Sequence, residues 1–257
     1  MPQCSPINFW LLLAATICVD AVLMASTYAE AHGNIGSFFV ALVFGQLSAL
    51  CVWASFASLQ QFVRAIVPFA FSIAAALWMG LARPRTVPEI SFEQLALAYC
   101  GLWLTHAAGL MSLIWALKQT AYGRRWSSPV DTGVWQFSIK HLLILMTTLA
   151  VLISILRSAD LIHEAWMFVV ILIANNSGLA LACVLVQGAT WHVVVRLAAI
   201  AAVALLTAAL FHAIGNWDDA FAVNLIHALV LFLWLEVGGI MPARDPASAV
   251  ASEGTSQ

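Results

Sequence analysis

Seven polar side chains interrupt long apolar runs in this chain: Asp20, Gln46, His106, Thr147, Thr148, Asn175 and Asn176. Counting about 1.5 Å of rise per helical residue from the ends of those runs puts them near one common level. Asp20 is an acid and His106 is a base whose proton comes and goes near neutrality, so the two suit a proton or ion relay, with Asn175 and Asn176 as hydrogen-bonding neighbours. A carboxylate at the centre of a bilayer costs about 2.5–3.5 kcal/mol, so Asp20 is expected to face a helix-bundle interior and find a partner. Thr16, Asp20 and Thr27 share one helical face, Tyr99 and His106 another, and Asn176, Cys183 and Gln187 a third. The same residues also suit a polar cluster that only fixes helix register, and both readings stand at this point.

A second group gathers at the ends of the apolar runs: Glu30, His32, Asp160, His163, Glu164, His212, Asp218, Asp219 and His227. Asp160, His163 and Glu164 form a DxxHE sequence, and His212 and His227 flank a tight turn, within about one helical turn of each other in depth. Imidazoles with carboxylates are the donor set of zinc and copper sites, which makes His163, His212, His227, Asp160 and Glu164 the candidate metal ligands. Their spacing matches no HExxH pair, and histidines at span ends are commonly interfacial. Haem ligation by His106 with His212 or His227 is a further arrangement, so the cofactor is left open. Glu236, on the opposite face from His227, is expected to pair with Arg244 or Arg64.

Enzyme classes with a soluble active site lack their parts. There is no GxSxG, no glycine-rich phosphate loop after a strand, and no polar interval longer than about twenty residues in which a catalytic domain would fold. Four of the five cysteines, Cys18, Cys51, Cys100 and Cys183, sit inside apolar runs with no CxxC pair, and read as small packing residues. Ten Lys and Arg spread along a chain of net charge -2 make no basic face, which argues against a nucleic-acid partner.

The elements that must position these groups are membrane helices. With 63% hydrophobic and 9% charged residues, the chain departs far from soluble composition. At about 20 apolar residues per crossing, it divides into about eight spans: near Asn8–Ala29, Gly36–Leu59, Val63–Ala82, Phe92–Leu117, Phe137–Leu156, Ala165–Gln187, Thr190–Gly215 and Ala220–Met241. The expected fold is an all-α polytopic bundle in a 4+4 arrangement. Residues 1–117 make one four-span group, 118–136 a basic cytoplasmic linker, 137–241 the second group, and 242–257 a disordered tail. No Lys or Arg precedes the first apolar run, so that run is read as a retained span. With both termini cytoplasmic, Arg64, Lys118, Arg124, Arg125, Lys140, Arg196 and Arg244 fall inside, against Arg83, Arg85 and Arg157 outside, which sets the expected orientation in a cell (inner) membrane.

Small residues recur at intervals of four in Ala41, Gly45 and Ala49, in Gly101, Thr105 and Gly109, and in Ala174, Gly178 and Ala182. Such rows permit close helix packing, within one chain or in a homo- or hetero-oligomer.

The fifth span, with Trp135 and Phe137 at headgroup level, Ser138 as N-cap and Lys140 free to snorkel, opens the second group. Its sequence QFSIKHLLILMTTLAVLISILR resembles a recurring element, QFS followed by Ile or Leu, a basic residue and LL, of uncharacterised polytopic membrane proteins from planctomycete bacteria. GQLSALCVWASF, Gly45 to Phe56, followed by Arg64, is similar to the second span of some of those proteins. The resemblance implies a multi-span protein and carries over no functional residue. Three functional readings follow from the residues themselves. They are a small-solute or proton-linked permease using Asp20 and His106, a non-catalytic accessory or scaffold subunit, and a metal-binding intramembrane enzyme.

Overall fold

The computed structural model describes residues 14–22, 33–56, 61–81, 92–119, 162–187, 189, 191–215 and 219–237. Among them the chain is all-helical: α1 covers 14–22, α2 Gly33–Phe56, α3 Gln61–Leu81, α4 Phe92–Gln119, α5 Ile162–Gln187, α6 Val193–Gly215 and α7 Ala220–Glu236. Six of these overlie expected spans to within a few residues at most ends. The central linker beyond Gln119, the fifth span and the C-terminal tail lie outside the described residues, as do Thr147 and Thr148. Three stretches are long and apolar enough to cross a membrane, Phe38–Phe56, Phe92–Lys118 and Val193–Ala213, and Ile66–Leu81, Ile171–Gln187 and Ala220–Glu236 are shorter apolar helices.

Helix is what such sequences must form where water is scarce, because it satisfies every backbone donor and acceptor within the segment. Most hydroxyls inside the helices are satisfied the same way. Ser55 donates to the Cys51 carbonyl, Ser72 to that of Pro68, Thr105 to that of Gly101 and Ser112 to that of Ala108. These four close on their own helix one turn back. Pro68 is accommodated in the second turn of α3, where it is buried.

The distribution of side chains is inverted relative to a soluble bundle. Val194, Leu206 and Leu210 on α6, Ile73 and Leu77 on α3, and Leu229 and Leu233 on α7 face outward, while Gln46, Ser48, His106, Asn176, Ser177, Asn224 and His227 are buried. An apolar exterior around a polar interior suits a lipid surround. It also locates the core: Phe44, Leu47, Val52, Trp103, Leu110, Leu179, Ile200 and Leu231 pack there with almost no exposure.

α2 is the hub. It contacts α3, α4, α5 and α7, and α6 is held at the periphery by α5 and α7. α2 contains no charged residue, and its row Ala41, Gly45, Ala49 points into the bundle. A Cβ at Gly45 would stand 2.8 Å from Val230 Cβ and 3.2 Å from the His227 carbonyl oxygen, so glycine is what lets α7 approach α2 so closely. Gly80 serves α3 and α4 likewise, under Phe92 and Ala96. The other rows behave differently: nothing lies within 4 Å of the position a Cβ would take at Gly109 or Gly178.

Charged groups appear at helix ends. Lys118 Nζ donates to the Ser55 carbonyl at 3.0 Å and lies 5.0 Å over the Phe56 ring, tying the ends of α2 and α4. Glu236 pairs with Arg196 at 2.7 Å, and Arg196 also donates to Gln187. α6 and α7 run antiparallel, which brings the start of one beside the end of the other and Arg196 to Glu236; the expected partners, Arg244 and the side chain of Arg64, lie outside the described residues.

Gly45→Ala is expected to lower unfolding stability in micelles by about 1–3 kcal/mol, the usual cost of forcing a methyl into a packed contact. Adding Val230→Ala is expected to restore much of that loss. A Gly45→Ala protein as stable as the parent would show that the α2–α7 contact is not tight.

Candidate functional site: a buried histidine–serine–histidine chain

A buried polar level lies at the centre of the described bundle, and four helices supply it. Ser48 projects from α2, His106 from α4, Asn176 and Ser177 from α5, and His227 from α7, and all are buried. Ser48 Oγ lies 3.0 Å from His106 Nε2 and 3.1 Å from His227 Nε2, so one hydroxyl joins the two rings. Ser177 Oγ is 3.2 Å from His106 Nδ1, and Asn176 Oδ1 is 2.6 Å from His227 Nδ1.

These contacts fix a direction. The Asn176 Nδ2 amine donates to the Leu172 carbonyl at 2.8 Å, which leaves Oδ1 as acceptor and makes His227 Nδ1–H the donor to it. With one proton on each ring, His227 Nε2 then accepts from the Ser48 hydroxyl, Ser48 Oγ accepts from His106 Nε2–H, and His106 Nδ1 accepts from the Ser177 hydroxyl. Every bond runs the same way, from Ser177 to the Leu172 carbonyl. Aligned hydrogen bonds polarise one another, and a chain of this kind is strengthened by its low-dielectric setting.

Phe44, also on α2, holds the rings in place. It meets His106 edge-on at 4.9 Å between centroids and lies nearly parallel to His227 at 6.3 Å. The two imidazoles stand almost perpendicular, with centroids 6.5 Å apart. Each ring therefore has an apolar wall and two polar contacts, which restricts it to the orientation that meets Ser48.

Beside this chain, Asn175 and Asn224 form a reciprocal amide pair. Asn175 Nδ2 donates to Asn224 Oδ1 at 2.8 Å, and Asn224 Nδ2 donates to Asn175 Oδ1 at 3.2 Å and to Thr207 Oγ1 at 3.0 Å. Thr207 in turn closes on the Val203 carbonyl at 2.9 Å. Asn224 and His227, three residues apart, occupy one face of α7 and meet consecutive asparagines of α5.

The structure brings His106, Asn175 and Asn176 to one level and sets Asp20 apart. Asp20 receives Gln46 Nε2–H at 2.9 and 3.0 Å on its two oxygens. Gln46 and Ser48 are two residues apart on α2, hence about 200° apart around the helix, so the carboxyl and the His106 ring lie on opposite sides of α2. Direct proton exchange between Asp20 and His106 has no geometric basis.

The candidate metal set is likewise not gathered by what is described. His227 belongs to the interior chain, with both ring nitrogens already paired. His212 instead packs against Phe221 at 6.0 Å between centroids. The register Thr207 opposite Asn224 places His212 about 12 Å along the helices from the level of His227, not within one turn. Asp160 and the side chains of His163 and Glu164 lie outside the described residues. Among the described residues no group of three or more His, Cys, Asp or Glu comes together. The haem arrangement fails on the same ground, since both nitrogens of His106 are paired as well.

Sequence reasoning missed Ser48, Ser177, Thr207 and Asn224, and misplaced His227. Their signal was weak because single hydroxyls and amides in apolar helices usually close on their own backbone. His227 was read by its nearness to the Asn216–Asp219 turn, although it stands two turns inside α7.

No family model, no curated protein and no solved structure matches this chain. What the fold and site define is an apolar helical bundle built around a directional His–Ser–His chain.

Ser48→Ala removes the shared hydroxyl and leaves two buried ring nitrogens unpaired, at about 1–3 kcal/mol each. Ser72→Ala, equally buried but bonded only to its own helix, is expected to cost under about 1 kcal/mol. Denaturant unfolding in micelles separates the two, and equal losses would show that the bridge carries no special weight.

Proposed function

We propose that this protein is a small-solute or proton-linked permease of a cell (inner) membrane, and that the unbroken chain from Ser177 through His106, Ser48 and His227 to Asn176 is its proton-handling element. That chain is the observation on which the reading rests. A proton reaching His106 Nδ1 makes an imidazolium. Its Nε2–H passes to Ser48 Oγ as the Ser48 hydroxyl proton passes to His227 Nε2, which leaves His106 neutral, Ser48 unchanged and His227 charged against Asn176 Oδ1. Each transfer spans an existing hydrogen bond, so no side chain moves far. An intramembrane ionisable group is most often functional, and here two share one bridge.

In this reading the chain makes eight crossings in two groups of four, with both termini and the basic linker cytoplasmic. The bases at Lys118 and Arg196 on helix ends support that orientation, and a reporter fused after Arg125 tests it. The resemblance to planctomycete polytopic proteins belongs to the same proposal. A second reading, an accessory or scaffold subunit, is favoured by Ala174 and Gly178, which face outward on α5 with open space over Gly178. It predicts co-purification with a partner that Gly178→Leu abolishes.

In proteoliposomes carrying an entrapped pH dye and an imposed pH gradient, the parent protein is expected to dissipate the gradient faster than empty vesicles. Ser48→Ala and His227→Gln are expected to reduce that flux at least tenfold, and Ser48→Thr, which keeps the hydroxyl, to retain most of it. Parent protein indistinguishable from empty vesicles, or Ser48→Ala as active as the parent, would overturn the permease reading.

A further inference from the structure

Asp20 and Gln46 pose a separate problem on the far side of α2. Gln46 is buried, at 3% exposure. Its Nε2 is shared between both oxygens of Asp20, while its Oε1 is buried with no hydrogen-bond partner among the described residues. A buried amide oxygen left unpaired costs about 1–3 kcal/mol and calls for an explanation.

The protonation state of Asp20 supplies one. An ionised carboxylate only accepts hydrogen bonds, so it engages Nε2 and repels Oε1. A protonated carboxyl has one O–H donor and one carbonyl acceptor, which match the acceptor and donor of a primary amide side by side. A tilt of the Gln46 amide then gives two bonds, Asp20 O–H to Gln46 Oε1 and Gln46 Nε2–H to the Asp20 carbonyl, and no polar atom of the amide facing the acid is left over. The Nε2 shared between two oxygens is already within reach of that arrangement.

Among the described residues, no charged group is placed to hold Asp20 ionised. α2 contains no charged residue. The titratable groups of neighbouring helices that reach α2 do so elsewhere: His106 and His227 at Ser48, and Lys118 at the Ser55 carbonyl. On α1 the other titratable side chain is Cys18, which faces outward.

We infer that Asp20 and Gln46 form a proton-binding site in which the neutral acid is held by a two-point acid–amide pair, distinct from the His106–His227 chain. The inference stands whether or not the protein carries a solute, because it concerns one carboxyl and one amide. The balance is simple: one proton from water binds one Asp20 oxygen, the negative charge is lost, and the reverse releases it as pH rises.

Infrared difference spectroscopy on the purified full-length protein in lipid reads this directly. In mildly acidic buffer the parent is expected to show the carbonyl stretch of a protonated carboxyl, lost in Asp20→Asn and disappearing on alkalinisation. Gln46→Leu is expected to keep the band and move it to higher frequency, as a carbonyl does on losing a hydrogen bond. Absence of the band in mildly acidic buffer, or a band that Gln46→Leu leaves unmoved, would overturn the inference. So would removal of the band by sodium chloride at constant pH, which would make the site one for a monovalent cation. Should either variant fail to fold, carbodiimide labelling of the parent protein mapped by mass spectrometry decides: the reagent takes the protonated acid, so labelling of Asp20 that falls with rising pH supports the site, and none overturns it.

Discussion

Polar side chains inside an apolar bundle have only one another and the helix backbone to bond with, and the centre of the described bundle follows from that constraint. An imidazole has two nitrogens, and in a setting without water both must find partners in fixed positions. His106 and His227 solve this by sharing the Ser48 hydroxyl and by drawing Ser177 and Asn176 onto their remaining nitrogens. Helix positions follow: four helices are held in register by five side chains, and Gly45 is required so that α7 can come close enough to α2 for Ser48 to reach His227.

This accounts for the division of labour between α2 and α6. α2 is uncharged, nearly enclosed and packed against α3, α4, α5 and α7 as well as bonded to α1 through Gln46, whereas most of α6 faces outward with Val and Leu. Both are long apolar helices. What separates them is that α2 carries Gln46 and Ser48 where α6 offers only Thr207 at comparable depth, and a helix with more polar groups to satisfy is drawn deeper into the bundle.

How much could be read from the amino acids alone depended on the kind of signal. Helix positions were legible because apolar run length sets them: α4 begins at Phe92, α5 ends at Gln187 and α6 ends at Gly215, as the run boundaries indicate. The level shared by His106, Asn175 and Asn176 was legible too, since depth along a helix is a matter of counting. Rotation about the helix axis was not. Gln46 and Ser48 lie at nearly the same depth yet face opposite directions, so counting alone joined Asp20 to His106 when the structure pairs it with Gln46. His227 lies mid-helix rather than at a span end, because two turns of α7 separate it from the Asn216–Asp219 turn that is its neighbour in sequence. Pairings between distant segments, such as Arg196 with Glu236, depend on which helices adjoin and leave no local trace.

The His–Ser–His chain also imposes an order on biogenesis. Its first contributor, Ser48, leaves the ribosome long before its last, His227, and 179 residues separate them. Until α7 arrives, Ser48 accepts from His106 while its own hydroxyl proton has no acceptor. A translation product truncated ahead of α7 would present that gap to the lipid, and cellular surveillance of membrane proteins would meet a polar wound that only α7 can close.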